Sequence, residues 1–277
     1  MSPLSLLTLF CLRMPAGVLA HLPAIPWDRA WRGIFRTCAA VAAGLLLVRL
    51  AFLPWARGPL LGPANFLTGA ALVFSAAYAY AAAKGGGTAI RGVFLALSIA
   101  ASTGAVADAS RSALAAAVLA HPGRPPLVSW GRYALLPFDL LSCAILGSSL
   151  VTMLLGHFYL IAPSLPIRPL VRLSVVLLVE IHLRLLLCVG ALLLARERFF
   201  PPAGASSLDF TVNLGVFVLP RILVGLVFPA AFSWLVYRTA RIGSTQSATG
   251  ILYVIVVFLI IGEMMNAGAL AITGVPL

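Results

Sequence analysis

The stretch PLVRLSVVLLVEIHLRLLLCVGALLLA, residues 169–195, decides the fold class. A helix that crosses the hydrocarbon of a bilayer needs about 20 mostly apolar residues. This run exceeds that length while carrying Glu180, His182 and Arg184 near its middle. Comparable runs recur along the chain, at 3–21, 36–54, 62–83, 88–108, 133–160, 208–237 and 248–274. The sequence therefore predicts an all-α, polytopic integral membrane helix bundle of about eight transmembrane helices. The first run is the weakest, because Arg13 interrupts it and Pro15 follows. If it lies in the interface, or is a signal peptide cleaved near Val18-Leu19-Ala20, seven helices remain.

Composition leads to the same class. The chain of 277 residues is 62% hydrophobic and 9% charged, against roughly a quarter charged in a typical soluble domain. Lipid must be its solvent, and residues 1–277 read as a single membrane domain with short connections. Two halves differ within it. Residues 1–125 form an apolar half rich in Ala, Leu and Gly, suited to a scaffold packed through small residues; Arg13 and Arg49 are expected to snorkel from its helix ends. Residues 126–277 carry the polar groups that enter the membrane.

The formal charge of +12 is spread singly through the connections, which speaks against a nucleic-acid partner and for the positive-inside bias. Alternate connections hold nine and six Lys or Arg, the richer side including Arg32, Arg36, Lys84, Arg91, Arg168, Arg172, Arg238 and Arg241. That side is expected to face the cytoplasm of a bacterial-type cytoplasmic membrane, leaving the C-terminus on the other side. Trp27, Trp31, Trp55, Trp130 and Trp234 fall near the expected span ends, where indole rings favour the headgroup level. The four cysteines are far apart in apolar runs and read as small packing residues.

Ionisable groups inside the later spans are the functional signal. Glu180 and Arg184 are four apart and share a helix face; His182 points roughly the opposite way. Arg221 follows Pro220 in the seventh span, and Glu263 and Asn266 share a face of the eighth. Charges facing lipid at that depth cost about 2.5–3.5 kcal/mol each on insertion scales, so they are expected to turn inward. One outcome is a salt-bridge lock pairing Glu180 with Arg184 and Arg221 with Glu263. The other is a polar cavity for a proton, an ion or a quinone head group, with Glu180, Arg184, Arg221 and Glu263 as the reactive groups. His157 and Tyr159 end the fifth span beside Arg168 and Arg172, a setting for quinone oxygens or for simple interfacial anchoring. With His182 and Asn266 they complete the candidate cofactor-binding set.

A haem bridging His157 and His182 is disfavoured, because those residues differ in depth by about 14 Å at 1.5 Å per residue; His182 with Met264 or Met265 is the remaining haem option. His21 and His121 read as loop residues. No phosphate-binding loop, zinc-protease or nucleophile-elbow motif occurs, and no metal site is expected. The sequence thus points to a membrane subunit of an electron-transfer or quinone-linked respiratory-type complex with other protein subunits around it. A small proton- or ion-coupled transporter is the alternative, and a structural or assembly subunit without chemistry the third.

Overall fold

A computed structural model describes residues 3–26, 32–52, 62–85, 87–120, 135–195, 214–273 and 275–277. Trp27, Trp31, Trp55 and Trp130 of the expected aromatic belt, together with His121, Arg57, Arg124, Arg132, Arg196 and Arg198, lie outside them. Among the described residues there is no strand, and eight helices are long and apolar enough to span a membrane. They are α1 (Pro3–His21), α2 (Arg32–Phe52), α3 (Pro63–Lys84), α4 (Thr88–Ala120), α5 (Leu136–Ile161), α6 (Arg168–Leu194), α7 (214–241) and α8 (Thr245–Thr273).

Local chemistry sets several of their ends. Proline occupies the first turn of α3, α5 and α6, where its missing N–H has no intrahelical partner to lose. Gly85 closes α3 at φ 73° and Gly243 turns the chain between α7 and α8 at φ 79°, both in the left-handed region that favours glycine. Several hydroxyls in the spans are satisfied within their own helices, as in Ser75 to Ala71 O, Thr152 to Ser148 O and Ser174 to Leu170 O.

The first segment, the weakest in sequence, lies at the centre of the bundle. About 72% of the α5 span and 61% of the α1 span are enclosed by protein, against 28–44% for the other six, so these two helices form the axis. α1 packs along α5 and also touches α2 and α4, while α2, α3 and α4 follow one another around one side. On the other side α5 meets α6 and α8, and α7 packs between α6 and α8. Gly17 makes the central crossing close: a Cβ there would sit 1.7 Å from the Cys143 carbonyl oxygen and 2.9 Å from Gly147 Cα. Crossings through small residues let backbones approach where lipid supplies no hydrophobic drive between helices.

Arg13 and Arg49 do not snorkel; both are buried. Arg49 donates to Thr8 O at 2.9 Å, Thr68 Oγ1 at 3.2 Å and Asn65 Oδ1 at 3.2 Å, which ties α2 to α1 and α3. Trp234 sits about two turns inside the end of α7 and is half exposed.

Helix α7 is broken. Leu214–Val218 and Leu223–Val227 are π-helical and flank the short α-helical piece Leu219–Ile222, before regular α-helix resumes at Phe228. Pro220 has no N–H to give to the carbonyl four residues earlier, which accounts for a widened turn on its N-terminal side.

Candidate functional site

Arg221 stands in that short piece of α7, fully buried, with its Nη2 3.0 Å from Glu263 Oε1 of α8. Glu263 is the centre of a cage. Arg13 of α1 approaches it at 3.4 Å and Arg184 of α6 at 3.9 Å. Arg13 is also ion-paired with Asp139 of α5, and Asp139 accepts a hydrogen bond from Ser110 of α4. Six of the eight helices thus send a polar side chain to one connected cluster.

The cage sets three guanidiniums against the side-chain carboxylates of Glu263 and Asp139, and main-chain oxygens complete it. Arg184 donates to Phe138 O and to Leu277 O, each at 2.9 Å, and its guanidinium lies 5.3 Å from the Phe138 ring centroid. Arg221 Nε donates to the same Leu277 oxygen at 2.9 Å. The Leu277 N–H donates in turn to Asn266 Oδ1 at 2.8 Å, so residues 275–277 fold back into the bundle. Arg221 Nη1 has no hydrogen-bond partner among the described residues. A small cavity of about 20 Å³ lies beside the cage, lined by Arg13, Glu263, Leu9, Phe10, Leu146, Met264 and Ala267. That is room for about one water molecule.

Removing two ions from water costs several kcal/mol each unless geometry and hydrogen bonds compensate. Here that compensation comes from one carboxylate shared among three cations and from main-chain oxygens. Two bare backbones bring α7 and α8 close enough: a Cβ on Gly262 would meet Gly225 Cα at 2.3 Å.

Of the residues singled out in the sequence, the fold brings Arg184, Arg221, Glu263 and Asn266 together. It separates the other four from them. Glu180 turns away from Arg184 and pairs with His21: His21 Nε2 lies 2.9 Å from Glu180 Oε1, and Ser148 of α5 donates to Glu180 Oε2 at 2.5 Å. His21 is therefore an interior residue and not a loop residue. His182 is exposed on the outer face of α6, its Nδ1 bonded to Leu178 O at 2.7 Å. His157 is exposed at the end of α5, 3.4 Å from the Tyr253 hydroxyl. Tyr159 is buried, and its hydroxyl donates to Pro166 O at 2.5 Å, pinning the α5–α6 turn.

Sequence reasoning did not bring Arg13, Ser110, Asp139 or the Leu277 main chain to the cage. Among the described residues no three His, Cys, Asp or Glu side chains converge as a metal site would require.

No protein-family model, curated protein or solved structure matches the chain. Function must be argued from the geometry. The cage offers a fixed, nearly dry polar centre, built beside the π-helical turns of α7.

At the end of the bundle that carries the α5–α6 turn, a cleft of about 400 Å³ opens between the chain leaving α1 and the start of α6. Ala24 and Pro26 line one wall; Pro166, Arg168, Pro169 and Arg172 line the other. Neither arginine has an ion-pair partner among the described residues.

Proposed function

We propose that this chain is an ion-coupled membrane carrier for small anionic solutes, working in a bacterial-type cytoplasmic membrane. The observation that carries the reading is the seat of Arg221: a buried cation between the π turns of α7, held to Glu263 of α8 and retaining a donor with no partner among the described residues. π-Helical turns occur mostly at functional sites. Interrupted helices with charges near the membrane midplane are the usual binding element of secondary transporters. The Nη1 of Arg221, unpartnered among the described residues, favours an anionic solute. The carrier's cytoplasmic face would be the one with the arginine cleft, in keeping with the positive-inside bias.

The test is flux. The purified chain in liposomes enclosing a pH-sensitive dye is offered small carboxylates, amino acids and phosphates in turn. At least one solute should shift the lumenal pH with the wild-type chain and not with Arg221→Met. A flat response to every solute would refute the carrier reading.

A second reading keeps the chain as a membrane subunit of an electron-transfer or quinone-linked complex, and His182 supports it. Among the described residues, one ring nitrogen of that imidazole has no partner, on an otherwise apolar outer face with Val179, Leu183 and Leu186. Polar groups at such depth normally meet protein rather than lipid. Material purified gently from native membranes would then carry further subunits, extractable quinone or a visible absorption band, and His182→Leu would lose them.

A further inference from the structure

A second polar cluster lies about 12 Å further along α1 from the cage, at 1.5 Å per residue between Arg13 and His21. We propose that His21, Glu180 and Ser148 form a binding site for one exchangeable proton, entered from the arginine-lined cleft. The inference rests on the carrier reading for its purpose, since it names the proton as the coupling ion; the site itself is argued from geometry.

His21 is the last residue of α1, and its Nδ1 lies 2.7 Å from Gly17 O. A carbonyl only accepts, so Nδ1 must carry a hydrogen. The contact between Nε2 and Glu180 Oε1 then also needs a proton, because both atoms would otherwise offer lone pairs. Two arrangements satisfy it: imidazolium with carboxylate, or neutral imidazole with carboxylic acid. They differ only in which side of a 2.9 Å contact holds the hydrogen. Transfer from Nε2 to Oε1 breaks an N–H bond and forms an O–H bond, and no other bond changes. Release of that proton to water leaves neutral His21 facing ionised Glu180, which Ser148 still supports at 2.5 Å through Oε2.

The surroundings isolate the pair from competing charge. Among the described residues, Glu180 is the one charged side chain within ion-pair distance of His21. Arg184, one turn along α6, is directed at Phe138 O and Leu277 O; Arg13, two turns back on α1, is held by Asp139 and Glu263. α5 contributes the hydroxyls of Ser148 and Thr152, and the Thr152 hydroxyl is bonded to Ser148 O.

Depth and access suit a coupling site. Glu180 is about 18 Å along α6 from Arg168, close to the helix midpoint. α1 stops at this level, and the 3-10 turn Leu22–Ala24 leads from His21 to Ala24, which lines the cleft. Three residues at about 2 Å each make that step roughly 6 Å. The side chains of His21 and Glu180 retain 11% and 16% exposure, whereas those of the caged arginines Arg184 and Arg221 have none.

Infrared difference spectra of the full chain in lipid, recorded between acidic and alkaline buffer, test the site directly. Proton uptake should show either as a carboxylic acid band or as an imidazolium band with a shifted carboxylate band; the carboxyl signal should vanish in Glu180→Gln and shift in both His21→Gln and Ser148→Ala. The serine variant removes one hydrogen bond without touching the pair, so it reports even if a charge-removing variant folds poorly. Bands indifferent to all three variants, or neither a carboxyl nor an imidazole signal that changes with pH, overturn the proposal. If the bands behave as expected while no solute shifts lumenal pH, the carrier reading falls and the proton site stands. If solute uptake remains proton-coupled in Glu180→Gln, the proton site falls and the carrier stands.

Discussion

Glu180 is hydrogen-bonded to His21, 159 residues away in sequence, and not to Arg184 one turn along its own helix. The choice separates two kinds of buried polarity. Arg184 joins a cage of fixed ion pairs, whereas Glu180 joins a pair whose net charge changes with a single proton. Each centre has a share of α1, α5 and α6, so the two are mechanically connected without sharing a side chain.

Glu263→Gln would leave three guanidiniums with Asp139 as their one side-chain carboxylate in a nearly dry interior. Breaking a buried ion pair from one side typically costs about 3–5 kcal/mol, so thermal unfolding in detergent should move down sharply. The double variant Arg221→Met with Glu263→Met should lose less than the two single changes combined, because their 3.0 Å contact is removed as a unit. Full additivity would mean that the contact contributes no coupling energy.

Gly17→Ala should be far more damaging than Gly44→Ala, although both lie in membrane helices of the same half. A Cβ at Gly17 meets main-chain atoms of α5 at 1.7 Å, whereas one at Gly44 meets nothing within 4 Å. Backbone cannot rotate away as a side chain can, so α1 and α5 must separate and expose the cage. Yield of monodisperse protein on size exclusion is the measurement: a several-fold loss is expected for Gly17→Ala and none for Gly44→Ala.

Eight helices were legible in the sequence because span length and hydropathy are local properties that the bilayer enforces. The polar residues of α6 to α8 were equally visible, since charge at that depth must be met by a partner. Pairing was not. Spacing of four favours Glu180 with Arg184, yet both side chains had better partners on helices that only the tertiary packing brings near. Arg13 was misplaced because an arginine inside a weak first segment reads as the edge of a helix. A signal was present all the same: Arg13, Gly17 and His21 recur at four-residue spacing, two polar groups flanking a glycine on one face, which is the pattern of a contact stripe.

Arg49→Lys should destabilise the scaffold half even though charge is conserved. The guanidinium reaches three acceptors on α1 and α3 at once, with no acid among them, and an ammonium lacks the planar fork to do so. Leaving buried acceptors without donors costs about 1–3 kcal/mol. The thermal midpoint in detergent should fall, with Arg111→Lys as an exposed control that leaves it unchanged.

Pro220→Ala tests whether the break in α7 is imposed by the missing N–H or by packing around Arg221. If proline imposes it, alanine restores a donor to the ladder, the π turn at Leu214–Val218 tightens to α-helix, and amides over 214–227 exchange more slowly with deuterium. Stability should hold or rise slightly, because alanine is the better helix former by about 3 kcal/mol in a regular interior. Under the carrier reading the stiffened segment should cut solute flux several-fold while leaving the Arg221–Glu263 contact in place. Unchanged exchange would move the cause to the close approach of Gly225 and Gly262, where a Cβ on either residue meets the other's Cα at 2.6 Å or less.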